Sequence, residues 1–174
     1  MLTATQVPAR PIFRWWHALI IFVVANAISL FPAGFNGDEA FYNQFKQPSI
    51  APPDWLFPPA WLFNNITSLY ALAIVANKPV STPYRRSILW LEAVNWALFA
   101  FFTLLYFGLK SPVLGAIDTV LGCTLTGISL WLCFRVDKRA GWGIAPRFAW
   151  LLLASYVSVY VALNNSDAFF GTTP

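Results

Sequence analysis

The chain reads as an all-α integral membrane protein, a five-transmembrane-helix bundle that takes up residues 1–174 as a single membrane domain. Three observations carry this reading. Of the 174 residues, 58% are hydrophobic and 10% charged, where an ordinary soluble domain has roughly 25% charged residues. Five separate apolar stretches each reach about the 20 residues that a helix needs to cross the hydrocarbon core. The eleven lysines and arginines, finally, fall unevenly on alternate loops.

Taken in order, the spans cover about residues 16–35, 56–76, 88–108, 113–134 and 144–163. A Pro/Trp-rich loop, 36–55, follows the first, and polar turns over 77–87, 109–112 and 135–143 separate the others. Five spans use nearly the whole chain and leave no room for a soluble domain. Arg10, Arg14, Lys78, Arg85, Arg86, Arg135, Lys138, Arg139 and Arg147 lie on the side of the N-terminus and the even-numbered loops, with only Lys46 and Lys110 opposite. That asymmetry is a positive-inside signal. It predicts a cytoplasmic N-terminus and, with an odd number of spans, a C-terminus on the opposite side. It also accounts for a pI near 9.3 without a nucleic-acid partner. Arg10 and Arg14, followed by Ala18 to Val24 and by Ala25-Asn26-Ala27, also fit a cleavable signal peptide. An uncleaved anchor beginning at Met1 is the expectation.

The loop before the second span is the most distinctive segment. Pro48, Pro52, Pro53, Pro58 and Pro59 put five prolines in twelve residues, and proline both fixes its own φ and disfavours helix in the residue before it. A stiff, extended loop across the outer mouth of the bundle is expected, with Pro58 and Pro59 tolerated in the first turn of a helix. Trp55 and Trp61 flank that turn. They have two roles open to them: an aromatic belt at headgroup depth, or walls for a flat, rigid ligand, since aromatic faces stack on planar rings. Nine tryptophans in the chain, several expected away from the interface, weaken the first and leave both open.

The order Tyr42, Lys46-Gln47-Pro48, Pro52-Pro53-Asp54-Trp55, Phe57-Pro58 and Trp61, leading into the second of five spans, resembles the TspO/MBR (translocator protein, tryptophan-rich sensory protein) family. Phe107-Gly108-Leu109-Lys110 is similar to that family's turn between the third and fourth helices. Asp137, Ala140-Gly141, Pro146, Trp150, Ala154 and Asn164-Asn165 continue the likeness to the end of the fifth. The resemblance implies five helices around a pocket that opens toward the first loop, frequently in a homodimer, and a porphyrin, sterol or aromatic drug-like ligand. It implies that Trp61 and Trp150 line the pocket. Trp55, Asn65, Asn95, Phe99, Phe102 and Asp118 are further candidate ligand-binding residues. The chain departs from the family at particular positions. Asn95 and Trp96 are adjacent rather than three apart, Phe99 and Phe102 stand where the family has its asparagine and tryptophan, and Arg147 replaces the tyrosine after the fifth-helix proline. These mark a divergent member. The bound molecule is left open among a porphyrin or haem, another pigment and a lipid. No basic residue follows Tyr160, so the end of the fifth helix lacks the pattern proposed for cholesterol contact.

Glu92 and Asp118 are the carboxylates within the spans, where a charge near mid-bilayer costs at least ~2.5 kcal/mol. They are expected in opposite leaflets, too far apart for joint acid/base work. Glu92 is expected to pair with Arg147 or Arg135. Asp118 is read either as an interhelical hydrogen-bonding group or as an acid on the cavity wall. Ser111, Gly115, Thr119, Cys123 and Gly127 recur every four residues, a spacing that lets two helices approach closely, within the bundle or between two copies. Ala154, Ser158 and Ala162 repeat it more weakly. Cys123 and Cys133 are ten residues apart on one helix, about 15 Å in rise, too far for a disulfide.

His17, the single histidine, is read as a structural group at the cytoplasmic interface. Axial haem ligation is the other role its imidazole offers, at the end opposite the proline-rich loop. No Cys/His metal spacing, phosphate loop or nucleophile elbow appears. The chain is therefore read as a binding protein or regulator rather than an enzyme. Its expected partners are membrane lipid and a small hydrophobic ligand, with assembly as a homodimer or in a larger complex that holds protein, pigment or lipid as the alternative. A transporter, or an enzyme working on porphyrin through indole radicals, has the least support, because no inverted repeat is visible. The membrane is a bacterial inner membrane or an organelle membrane.

Overall fold

A computed structural model describes residues 11–36 and 38–172, leaving aside the side chains of residues 32–39. Met1 and Arg10, used above for the anchor and the charge asymmetry, lie outside the described residues. The chain folds as α1 Trp15–Asn36, a short α2 Asp38–Asn43, a 3-10 turn Asp54–Leu56, α3 Phe57–Ala76, α4 Arg85–Thr103, α5 Pro112–Val136 and α6 Lys138–Asn164. A π-helical segment, Leu104–Gly108, continues α4. Among the described residues there is no strand beyond one isolated bridge between Asp167 and Thr172.

Among the described residues, four stretches are long and apolar enough to cross a membrane: Asp54–Ala76, Arg85–Gly108, Pro112–Val136 and Lys138–Asn164. The apolar part of α1, Trp15–Phe31, is shorter. Within the loop 36–55, Asp38–Asn43 is helical, and the proline-rich part begins only after it. One expectation needs correction. The turn expected over 135–143 shrinks to Asp137. Its backbone is extended (φ −159°, ψ 121°) and its carboxylate accepts the Arg139 N–H, which satisfies a free donor in the first turn of α6. The sharp corner needs Gly141. A Cβ there would meet the Phe134 ring at 2.5 Å.

The helix ends are tied in pairs. Asn77 at the end of α3 bonds both backbone groups of Phe13, at 2.8 Å each, and Lys78 reaches Asp137 at 2.8 Å. At the other end, the Asn165 side chain accepts the Lys46 N–H at 2.8 Å and donates to the Lys46 carbonyl at 3.0 Å. Arg14, Lys78, Arg85, Arg86, Arg135, Lys138 and Arg139 thus share one end of the bundle, and Lys46 and Lys110 the other.

Packing explains which end stays open. Ala71, Val75, Ile88, Leu132, Cys133, Ala140 and Ile144 form a fully buried plug at the basic end. Gly143 brings α6 close to α3 there, since a Cβ would lie 2.9 Å from the Thr67 carbonyl oxygen; small residues permit this approach between membrane helices. A second cluster, Ala25, Leu69, Leu72, Trp96 and Ala100, fixes α1 to α3 and α4. The every-fourth-residue stripe of α5 turns inward: Ser111, Gly115, Thr119 and Cys123 are buried, and Gly115 and Gly127 abut Tyr106 and Phe148. It serves packing inside the bundle.

Candidate ligand-binding cavity

Beyond the plug the helices splay around a cavity of about 650 Å³, with a predominantly apolar lining. That lies within the range of small-molecule sites, roughly 300–1,000 Å³. Its walls follow helical periodicity. α3 contributes Pro58, Trp61, Leu62 and Asn65; α4 contributes Asn95, Trp96, Phe99 and Phe102; α6 contributes Arg147, Trp150, Leu151 and Ala154. α5 adds Asp118, Thr119 and Gly122, and α1 adds Phe22, Asn26 and Ser29. The π-helical segment carries Tyr106 and Phe107 into the same wall. An extra residue per turn at that point swings the aromatic face around, as π-bulges do at functional sites.

All eight residues singled out in the sequence line this cavity, at different depths. Trp55 is at the rim on the 3-10 turn, with two thirds of its surface exposed. Trp61 lies 5.0 Å from the Phe99 ring, and Trp150 meets Phe57 edge-on at 5.6 Å. Phe102 stacks on Tyr106 at 5.5 Å with the planes 10° apart. The walls are thus aromatic slabs, and flat apolar matter is what they can hold by stacking.

The roof is the segment after α2. The Tyr42 hydroxyl donates to the Pro52 carbonyl at 3.1 Å, and Gln47 Nε2 donates to the Tyr42 carbonyl at 2.8 Å. Burial, and then the Asp54 carboxylate, raise the Tyr42 pKa, so the phenol keeps its proton, and this latch holds, at neutral pH. Asn43 Nδ2 donates to Asp54 Oδ2 at 3.0 Å and secures the rim.

The floor is polar and more elaborate than the sequence indicates. Glu92, 1% exposed, is gripped by Arg147 Nη2 at 2.7 Å from each carboxylate oxygen and by Ser129 Oγ at 2.6 Å. Of the two partners considered for Glu92, Arg147 is the one that pairs. Asn95 Oδ1 accepts from Thr126 Oγ1 at 3.1 Å. Asn65 Nδ2, Asn95 Nδ2, Trp96 Nε1, Asp118 Oδ1, Arg147 Nε and Trp150 Nε1 are buried without a hydrogen-bond partner, and all six belong to residues of the cavity wall. Leaving such a group unsatisfied costs about 1–3 kcal/mol, so their concentration around one cavity singles it out.

By charge Arg147 belongs with the cytoplasmic-side cations and is a partner for Glu92, yet its side chain also lines the cavity; Trp96, Tyr106 and Phe57 are wall residues that the sequence does not single out. The available signal was register. Arg147, Trp150, Ala154, Val157 and Val161 recur at three and four residues, one continuous face of α6.

The description TspO/MBR family matches residues 18–163. A tryptophan-rich protein TspO from Chlorobaculum tepidum is 31% identical over 72% of this chain and 79% of its own length. A translocator protein homolog from Schizosaccharomyces pombe is 34% identical over 87% of this chain and 92% of its own. A protein CrtK from Rhodobacter capsulatus is 28% identical over 81% and 88%. The match runs from within α1 to the end of α6, and the protein is a multi-pass integral membrane protein. With the family model covering residues 18–163 and a relative 34% identical over 87% of the chain, the chain belongs to the TspO/MBR family.

Proposed function

We propose that the protein is a membrane-embedded binding protein or regulator for a flat hydrophobic ligand, a tetrapyrrole or a molecule of similar shape, held in the cavity between the roof and the Glu92–Arg147 floor. The observation that carries this is the joint character of the wall: stacked aromatic rings around about 650 Å³, with unpartnered polar atoms set among them. Trp61 and Trp150 are the side walls, Phe99 and Phe102 line the α4 side, and Trp55 guards the rim. In this reading α1 is the fifth span, the basic end faces the cytoplasm, and the cavity mouth lies in the opposite leaflet. Titration with protoporphyrin tests it: tryptophan emission is quenched, and the quenching is lost when Trp61→Ala and Trp150→Ala are combined. Absence of quenching at micromolar protoporphyrin overturns the proposal.

A second reading, an accessory subunit of a larger membrane complex, draws on Trp90, Trp131 and Trp142. These are 64%, 55% and 70% exposed and lie outside the cavity wall. Co-migration with a large complex after mild detergent extraction supports it, and a clean monomer or dimer counts against it.

A further inference from the structure

Four of the unpartnered atoms belong to residues within about one helical turn of one another in depth. Arg147 is level with Glu92 on α4 through their direct pairing, and Asn95 and Trp96 occupy the next turn of α4. On α3 the close approach of Gly143 to Thr67 sets the register. Gly143 faces Thr67 and Ala71, and α3 and α6 run in opposite directions, so Arg147, four residues past Gly143, comes level with the turn from Phe63 to Thr67 that carries Asn65. Asn65, Asn95, Trp96 and Arg147 are 3%, 5%, 7% and 5% exposed.

All four orphan atoms in this layer are donors: two amide nitrogens, an indole nitrogen and the guanidinium Nε. Glu92, the carboxylate at this level, is already held by Arg147 and Ser129. The layer therefore lacks acceptors. Resting on the flat-ligand reading above, we infer that the floor of the cavity recognises an oxygen acceptor, a carbonyl or carboxylate, at one edge of the ligand, and that Arg147 sets this preference.

Glu92 compensates the charge of Arg147, so the guanidinium presents a directional N–H rather than a free cation. A neutral carbonyl then fits as well as a carboxylate. Its oxygen accepts from the unpartnered Nε–H of Arg147, held in the plane of a guanidinium that Glu92 fixes through Nη2, and the neighbouring amides supply further donors. A ligand edge without oxygen leaves these donors unsatisfied, and sites built to hydrogen-bond a substrate group discriminate strongly against analogues that lack it.

The test uses 1-acetylpyrene and 1-ethylpyrene, of nearly equal shape, with 1-pyrenecarboxylic acid as the anionic arm. Binding to the full chain in nanodiscs is read from tryptophan-to-pyrene energy transfer, each value being referred to partition into protein-free nanodiscs. 1-Acetylpyrene is expected to bind at least about tenfold tighter than 1-ethylpyrene, as expected for a hydrogen bond to a charged donor. If 1-pyrenecarboxylic acid matches the ketone, the site takes both oxygen types; if it binds more weakly than 1-ethylpyrene, the assignment of a carboxylate is wrong. Arg147→Lys keeps a cation for Glu92 but removes the Nε–H, and brings the ketone-to-ethyl ratio toward one. Asn65→Ala leaves the ion pair intact and lowers the ratio less. A ratio of one in the wild-type chain overturns the inference while the cavity reading stands. Failure of every pyrene to bind overturns both. A ratio unchanged in both variants removes Arg147 and its layer from the recognition.

Discussion

Arg147 Nη2 lies 2.7 Å from both carboxylate oxygens of Glu92, and the two side chains are 6% and 1% exposed. Breaking a buried pair by removing one partner costs about 3–5 kcal/mol, because the remaining charge is left uncompensated. Replacing both by apolar side chains of similar size is often neutral. Glu92→Leu alone is therefore expected to lower the melting temperature in detergent steeply, and Glu92→Met with Arg147→Met to restore most of it. A double variant no more stable than the single one shows that the pair does not act as a unit.

Gly143 and Gly122 make a controlled comparison. A Cβ on Gly143 meets the Thr67 carbonyl oxygen at 2.9 Å and the Ala71 Cβ at 3.0 Å, whereas one on Gly122 finds its nearest neighbour, Leu98 Cδ1, at 3.8 Å. Gly143→Ala is expected to cost about 1–3 kcal/mol as overpacking, and Gly122→Ala to change stability little. Gly143→Ala also pushes α3 from α6, which carry Trp61 and Trp150, so protoporphyrin affinity falls with it. Equal melting temperatures for the two variants contradict the close approach.

The helices themselves were legible because each span is a run of apolar residues, and the second span's start was marked by Pro58 and Pro59. The corner at Asp137 was not. Lys138, Arg139 and Trp142 look like loop residues, but with 72% of the Arg139 side chain and 70% of Trp142 exposed they occupy the outward face of a helix. Trp61 and Trp150 stood out through spacing that matched a known pattern. The floor did not, since pairing between Glu92 and Arg147 joins residues 55 apart and no local period encodes it. Arg147 was placed by its charge; its depth follows only from the early start of α6.

Two carboxylates outside the spans predict the acid response. The hydrogen bond from Lys78, then that from Arg139, hold the Asp137 pKa well below the ordinary carboxylate value. For Asp167, burial pushes upward, but bonds from Ser111 Oγ and from the Val113, Phe170 and Phe169 N–H groups outweigh it and leave the pKa lowered. A folded-state pKa below the unfolded one contributes stability above the unfolded value, about 3.9, and loses it as pH falls through the folded value. Melting temperature is thus expected to hold through neutral and mildly acid pH and to drop below about pH 4. Asp167→Asn lowers the plateau, since Asp167 satisfies the start of α5 through Val113 at 2.9 Å and Ser111 at 2.7 Å, and it makes the acid drop shallower. An acid limb of unchanged steepness excludes Asp167 as a contributor.

Asp118 gives the sharpest separation of stability from binding. Its Oδ1 is buried without a partner on the cavity wall, and the side chain is 7% exposed. Of the two roles considered for it, an interhelical hydrogen bond is not seen among the described residues. A carboxyl left without a donor inside a span costs stability, and proteins keep such groups where function needs them. Asp118→Asn retains the shape and removes the ionisable group, so the melting temperature is expected to rise. Affinity for 1-pyrenemethylammonium, whose ammonium group donates, is expected to fall about tenfold, the scale of one charge-assisted hydrogen bond. 1-Ethylpyrene has no donor, so its affinity stays constant. Titrations of both probes against wild type and variant decide the matter. A parallel loss for the two indicates a distorted wall, and no loss for either takes Asp118 out of ligand contact.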